Sequence, residues 1–506
     1  VVNARPVVTA SELATLLDAR VVGTTDDAPL TGASLDSRTV GPGQLYCALP
    51  GARTHGARFA AQARRAGATL ALTDQDGAVP CQEAGLPALV VDDPRAETAP
   101  AAARIQGDPS RALSMIGVTG TNGKTSITTM LHHTLLALGR AHGLIGTSGT
   151  TYRTPDGQDH ELPTVRTTPE ATEVQAILAD MACAGVPGCA MEVSSHAMVM
   201  HRADAIDFDV CCFTGLTQDH LDFHPTMEDY FQAKASLFTP EHTRSAVICV
   251  DDEWGRRLAQ QARVPVVTYT TAPDIEADAR VTDVRADGYG SSFRVQRADG
   301  SSHALRSALP GRHYVANAVA VLLLLEAVGV SGPEVRTALG DSGTVPGRME
   351  LVAEHPRAVV DFSHTEDALD KALSTLRGLP DAGRLIAVIG AGGDRDAGKR
   401  PHMGAVTARL ADVVIITDDN PRSEDPAAIR AQVRAGIPAT TRADVHVQAG
   451  RAEAIALAVS LADVGDTILL AGKGAETGQQ IGDTVLPFDD RAQLRAALMP
   501  APHEGH

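Results

Sequence analysis

Aromatic side chains are nearly absent from this chain: one Trp, six Tyr and nine Phe, or 3% of 506 residues. Hydrophobic residues still reach 43%, so its cores must be packed from Ala, Val and Leu rather than from rings. Cysteines number seven, an odd count with none beyond Cys249 and no CxxC pair. That excludes a disulfide framework and a cysteine-based zinc site, and leaves buried reduced thiols. Positive charge is also short, 44 Lys+Arg against 62 Asp+Glu for a formal charge of −18. Such a balance argues against nucleic acid or an anionic membrane as partner. An anionic ligand must then be held by local Lys, Arg and backbone donors. The strongly apolar stretch 318–328 falls short of the ~20 residues a membrane span needs. Near residue 1 no basic segment leads into an apolar core. The expectation is a cytoplasmic protein.

A chain of this length exceeds what one hydrophobic core usually organises, so several domains are expected. Residues 1–106 alternate β-like and helical pieces (43–49, 59–66, 70–73, 88–91), a small α/β unit. In 107–344 the strand-like runs 115–118, 189–193, 210–214 and 246–250 are separated by helical stretches, as in a doubly wound, mostly parallel sheet. The pattern turns β-rich and polar over 281–309, and 314–328 reads as a buried helix. A third α/β unit, 345–506, carries the runs 385–389, 413–417 and 467–471, and ends in a tail, 499–506, expected to fray.

What is present most distinctly is the run from Ile116 to Thr125: a short apolar strand, then Gly120-Thr121-Asn122-Gly123-Lys124-Thr125, then a helix-like segment stopped by Gly139. Strand, glycine turn and helix start suit a triphosphate: backbone N–H groups converge at the positive helix end, Lys124 reaches the outer phosphates, and the Thr125 hydroxyl can bind Mg²⁺. Val118 stands where the strict Walker pattern wants Gly. The loop alone is compatible with a kinase or a nucleotide-binding regulator as well as other phosphate chemistry.

Further polar groups gather at expected strand ends. Glu192, before Ser194-Ser195-His196, is placed for Mg²⁺ if its strand neighbours the phosphate loop; alternatively the two serines simply cap a helix beside an incidental acid. Gln218-Asp219-His220-Leu221-Asp222-Phe223-His224, with Lys234 beyond, reads equally as a site cluster or as a polar loop with a surface lysine. In the third unit Gly390 to Asp396 follows one strand, Asp418-Asp419-Asn420-Pro421-Arg422 another, and Gly472-Lys473-Gly474-Ala475-Glu476 a third. Arg395 stands where a GxGxxG motif needs Gly, so a dinucleotide site is weakly signalled. Mixed charges at three strand ends suit a zwitterionic ligand.

Together these residues resemble the Mur ligases, ATP-dependent amino-acid ligases of peptidoglycan synthesis, over nearly the whole chain. The resemblance implies a UDP-binding first domain, a P-loop-type central ATP domain and a C-terminal Rossmann-like amino-acid domain. It implies an ATP site at Gly120, Thr121, Asn122, Gly123, Lys124, Thr125, Asn317, Arg348, Asp361 and His364. It implies Mg²⁺ bound by Thr125, Glu192 and His220, with Lys234 as a carbamylated lysine, and catalytic roles for Lys124, Glu192, His220 and Lys234.

The resemblance is nearest to the members that add the third residue of the stem peptide. Ser37, Thr54 and His55, in Asp36-Ser37-Arg38 and Thr54-His55-Gly56, match UDP-binding elements. Thr167, Thr168, Ser194 and Arg202 match contacts to the muramoyl dipeptide. Arg395, Asp419, Asn420, Pro421, Arg422, Gly472 and Glu476 match the amino-acid site, in a pattern that selects diaminopimelate over lysine. Diaminopimelate has a distal carboxylate that lysine lacks, which Arg422 can bind bidentately. The implied reaction joins diaminopimelate to UDP-MurNAc-L-Ala-D-Glu through an acyl phosphate, in a monomer with small-molecule partners. Four positions depart from the family pattern: Ala475 for His, Tyr314 for Asn, Glu366 for Pro and Met200 for Gln. A relative using the same machinery on another amino acid or acceptor is the alternative.

Overall fold

The computed structural model describes residues 7–164, 166–342, 345–380 and 382–499. Residue 344, at the expected second boundary, and 500–506 of the expected tail lie outside the described residues. Three main sheets follow one another along the chain. The first has five strands in the order Arg20–Val22, Ala88–Val90, Leu70–Thr73, Leu45–Cys47 and Ala33–Ser34, parallel except at the Arg20–Val22 edge. The third has six, in the order Glu350–Glu354, Arg357–Asp361, Thr467–Ala471, Leu385–Ile389, Val413–Ile416 and Asp444–Val447, with Glu350–Glu354 antiparallel to the rest.

Between them stands an eleven-stranded sheet. Its middle is a parallel ladder in which Ser114–Thr119 lies between Gly188–Glu192 and Val210–Phe213. Antiparallel wings extend both edges: Gly149–Arg153 with Asp159–Leu162, and Gly290–Arg297 with Ser302–Ser307. The register aligns Val118 with both Glu192 and Cys212. Three connections therefore leave the sheet side by side at its carboxyl edge, where open α/β sheets bind ligands. Gly117 permits this close pairing, since a Cβ there would lie 2.7 Å from the Cys211 Sγ and 3.1 Å from the Phe208 ring.

The helix Lys124–Ala137 begins directly at the loop and ends at Leu138, with Gly139 left-handed just beyond (φ +70°), the usual glycine exit. Its buried face joins the helix Arg312–Ala327 in one cluster with the sheet. The latter helix is apolar almost all round and is enclosed accordingly. Six of the seven cysteines are buried and all are unpaired, as the odd count implies. Among the described residues no helix is long and apolar enough to cross a membrane.

The third unit is pinned by a charge pair wholly out of solvent. Arg451 donates to both Asp490 oxygens at 2.7 and 2.6 Å and to the Ala471 carbonyl at 3.0 Å, and both side chains are 0% exposed. This ties two helices to the end of the strand Thr467–Ala471. Removing one partner strands the other charge in an apolar setting. Asp490→Ala is expected to cost the third unit about 3–5 kcal/mol, read as an earlier denaturant transition from a reporter placed there. An unchanged transition would show that the pair carries no such weight.

Candidate active site

The glycine loop is shaped from outside itself. Gly120 and Gly123 adopt φ of +143° and +90°, open to glycine at little cost. A Cβ on Gly120 would fall 1.9 Å from the Thr214 Oγ1, and one on Gly123 2.8 Å from the Asn317 Oδ1. The Thr121 N–H donates to the Gly215 carbonyl at 3.0 Å, and its hydroxyl to the Thr217 carbonyl at 3.1 Å. Lys124 lies back over the loop, donating to the carbonyls of Gly120 and Thr121, each at 2.9 Å. Lys234, on the helix Met227–Ala235, is buried and donates to the same Gly120 carbonyl at 2.9 Å, with its ammonium 4.8 Å from the centre of the Tyr230 ring. Burial pushes both amines down from the ordinary lysine range, Lys234 far down, with the Lys124 charge adding to the effect there.

Glu192 is 1% exposed and faces the loop. Its carboxylate accepts from the Thr125 hydroxyl at 3.0 Å and from the Thr147 N–H at 2.7 Å. Arg348, from the linker to the third unit, donates to the same Thr125 hydroxyl at 3.2 Å and lies 4.2 Å from the Phe362 ring centre. Ser194 caps the helix Ser195–Val199 through the Ala197 N–H, as the capping reading of this segment expects. Thr168 serves the scaffold: its hydroxyl donates to the Glu192 carbonyl at 2.8 Å and accepts from the Ser194 N–H at 3.1 Å. Arg202 pairs with Glu170 at 2.8 Å. Thr167 lines the cleft and its hydroxyl meets that of Thr147 at 2.9 Å.

The segment 218–224 is a loop that exposes Gln218, Asp222 and Phe223 but buries Asp219 and His224, and Lys234 beyond it is no surface lysine. Asp219 is nearly buried, with His220 at 3.6 Å, His364 at 4.0 Å and Lys399 at 3.9 Å. Burial pushes the His220 imidazole down, so it is neutral. Burial alone would raise Asp219, but the neighbouring basic groups outweigh it and keep the carboxylate charged. His220 itself holds φ +56°, a sparsely used conformation for a non-glycine residue. The second inter-unit contact is Asn122 donating to Asp367 at 3.0 Å, with Lys371 on the same carboxylate at 2.7 Å. Asp361 accepts from the Met349 N–H at 2.7 Å, fixing the linker beside Arg348.

Across the cleft, Arg422 is left-handed (φ +50°) and donates to the Gly393 carbonyl at 2.6 Å. Asn420 donates to Glu476 at 2.9 Å and accepts from the fully buried Lys473 at 2.9 Å. Gly472 (φ +117°) lets the chain pass Asp419, whose Oδ2 a Cβ would approach to 2.4 Å. Burial raises the Glu476 carboxyl, and burial together with Arg395 lowers Arg422.

A single cleft of about 1090 Å³ takes in residues 121–125, Thr167, Glu192, Ser194, His220, Lys234, Asn317, Arg348, Asp361, His364, Arg395, Asp419, Asn420, Arg422, Gly472 and Glu476. Gly120, Thr168, Arg202 and Pro421 are not among its lining residues. Ser37, Thr54 and His55 belong to the first unit, outside this lining: Ser37 bonds Gln62 at 3.2 Å, His55 meets Asp74 at 2.9 Å, and Arg58 donates to Thr54 at 3.4 Å. Sequence reasoning missed Thr147, Lys399, Arg400 and Lys473 as parts of the site. For Lys399 and Arg400 a signal existed in the Lys-Arg pair that opens a helix just after Gly390 to Asp396. Arg400 is buried and binds Glu424 and the Gly392 carbonyl, bracing two cleft loops. Among the described residues no group of three or more His, Cys, Asp or Glu could hold a metal by itself.

Parallel sheet, shaped phosphate loop and a cleft closed by a following α/β unit define a nucleotide-dependent ligase architecture, and comparison with known proteins agrees. The Mur ligase family catalytic domain matches residues 29–112, the Mur ligase middle domain 118–325, and the Mur ligase glutamate ligase domain 347–474. A UDP-N-acetylmuramoyl-L-alanyl-D-glutamate–2,6-diaminopimelate ligase of Streptomyces coelicolor is 48% identical over 501 residues, 98% of each chain. A solved structure of a ligase of that name is 31% identical, with TM-score 0.67, covering 97% of this chain and 99% of the other. The Thermotoga maritima MurF ligase in complex with ADP shares the fold, at 18% identity and TM-score 0.61, over 92% of this chain and 96% of that one. This chain belongs to the Mur ligase family.

Acid should loosen the molecule through its histidines. Burial pushes His132 and His196 down to about 4, and His142, His220 and His313 to about 3, from 6.5. The unfolded chain takes up these protons near pH 6.5 while the folded chain refuses them, so stability falls as pH drops from 6.5 toward 4. Thermal midpoints across that range should decline steadily, and less steeply in His142→Phe. A flat profile would contradict the burial argument.

Proposed function

We propose that this chain is the ATP-dependent ligase that joins diaminopimelate to UDP-MurNAc-L-Ala-D-Glu, releasing ADP and phosphate, in peptidoglycan synthesis. The observation that carries the reading is one cleft holding both halves of the chemistry: a phosphate loop with Lys124 and the buried Lys234 on one wall, and Arg422, Asp419 and Glu476 on the other. We assign 1–106 to UDP binding, 107–344 to ATP and 345–506 to the amino acid. In this assignment Ser37, Thr54 and His55 hold the UDP end of the acceptor, and Thr167, Ser194 and Arg202 orient its peptide.

The loop amides and Lys124 receive the β- and γ-phosphates, with Asn317, Arg348, Asp361 and His364 around the nucleotide. The D-Glu γ-carboxylate of the acceptor attacks the γ-phosphorus and ADP leaves, forming the acyl phosphate; the amine then attacks its carbonyl carbon and phosphate leaves. Arg348 and Lys124 stabilise the negative charge that develops between the reactants. The donor set suits Mg²⁺, because Glu192 is a buried carboxylate beside the Thr125 hydroxyl, both hard oxygen ligands. His220 and Lys234 complete the assignment, with Lys234 as a carbamate. The neutral amine is the form that adds CO₂: its nitrogen bonds to carbon and one proton is lost, turning a neutral group into an anion. Mg²⁺, when bound, neutralises phosphate charge. Arg422 binds the distal carboxylate and Asp419 and Glu476 the ammonium groups.

With the muramoyl dipeptide as acceptor, ADP release should require diaminopimelate within a panel of amino acids, and the product mass should equal the tripeptide. Release with L-lysine at equal efficiency would overturn the substrate assignment. Lys124→Ala should lower kcat/KM by at least about 100-fold, the scale for losing one oriented charge on a transition state; full retained activity would refute the phosphate-loop role.

A further inference from the structure

One segment behind the amino-acid wall gives only Glu476 to the cleft lining and yet holds the loop of Asp419, Asn420 and Arg422 in place. It runs from Lys473 through a two-stranded hairpin, Gly478–Ile481 paired with Thr484–Pro487. Arg422 is bracketed by it on both sides, its N–H donating to the Gln480 carbonyl at 3.1 Å and its carbonyl accepting from the Gly482 N–H at 2.7 Å. Asn420 accepts at Oδ1 from the Gln480 N–H at 2.9 Å and from Lys473 at 2.9 Å. The Asp419 carbonyl accepts from the Gln479 side-chain amide at 2.7 Å. Lys473, 0% exposed, also donates to the Gly478 carbonyl at 2.7 Å, so one ammonium joins the base of the hairpin to the loop.

These contacts matter because Arg422 is held in an uncommon backbone conformation. A non-glycine residue at φ +50° drifts to ordinary geometry unless its surroundings over-determine it. A rigid fork recognises a carboxylate only when its plane is aimed correctly. The hairpin supplies the two backbone bonds that fix this residue, while the outward side chains of Val485 and Leu486 remain exposed and do nothing for the cleft.

We propose that the hairpin 478–487 and Lys473 form the specificity-positioning element of the amino-acid site. They aim Arg422 at the distal carboxylate without touching the substrate, with Lys473 and Gln479 as the positioning side chains. The proposal rests on the reading of Arg422 given above. It assigns selectivity to residues on a separate segment some sixty positions downstream of the loop that touches the ligand.

The test uses the full chain with the variants Gln479→Ala, Lys473→Met and Arg422→Met, measuring kcat and KM for diaminopimelate, L-lysine and ATP. Thermal unfolding serves as the fold control. Gln479→Ala should raise the KM for diaminopimelate and cut its preference over L-lysine by about tenfold, the usual scale for a lost buried hydrogen bond. The KM for ATP should stay unchanged, and Lys473→Met, where it folds, should exceed this effect. A structural role alone would lower kcat for both amino acids together and leave the preference intact. If Arg422→Met abolishes the preference while Gln479→Ala leaves it unchanged, the hairpin proposal falls and the Arg422 reading stands. If Arg422→Met also leaves it unchanged, both fall.

Discussion

Two lysine side chains converge on one carbonyl, that of Gly120, each at 2.9 Å, Lys234 buried and Lys124 at the cleft wall. Two full positive charges so placed repel by on the order of 3 kcal/mol at an effective dielectric of about 20, on top of what burial costs each. An anion between them, or loss of one charge, relieves the conflict. The phosphate loop is therefore built to be incomplete without its ligand, and its shape is imposed by neighbours. Thr214 and Asn317 stand where any Cβ on Gly120 or Gly123 would have to go. The register of the parallel sheet brings Glu192 to the same edge.

Closure by the third unit follows from the same charge pattern. Asn122 reaches Asp367, Lys399 reaches Asp219, and Arg348 reaches the Thr125 hydroxyl. All three contacts join the nucleotide loop or its neighbours to the linker or to residues beyond it. The linker is itself tightly lodged: a Cβ on Gly347 would lie 2.0 Å from the Ala475 nitrogen. Arg348 and the strand-end loop bearing Glu476 are thus packed together, which suits the proposed reaction, with its two reactants assigned to different units.

The legible part of the fold was the part buried on both faces. The strands Leu385–Ile389 and Thr467–Ala471 are continuous apolar runs because helices cover both sides of their sheet, and so they announce themselves. The hairpins Gly149–Arg153 with Asp159–Leu162, and Gly478–Ile481 with Thr484–Pro487, lie partly or largely in solvent, carry few apolar side chains and gave no such signal. In the site, charged residues following strands were legible as types at positions, including Glu192, Asp419 and Arg422. Their braces were not, because Thr147, Arg400 and Lys473 act through bonds to distant segments that no local spacing records. Lys234 was visible only by resemblance, since nothing in its helix distinguishes a buried amine from a surface one.

The central proposal is that the Gly120 carbonyl is flanked by Lys124 and by Lys234, whose charged form burial and the Lys124 charge both disfavour, and that Lys234 becomes a carbamate. The most direct measurement is carbon-13 NMR of the protein in labelled bicarbonate. The account predicts one carbamate resonance that disappears in Lys234→Met and persists in Lys124→Met. A spectrum without a carbamate at saturating bicarbonate, or one unchanged by Lys234→Met, would contradict it.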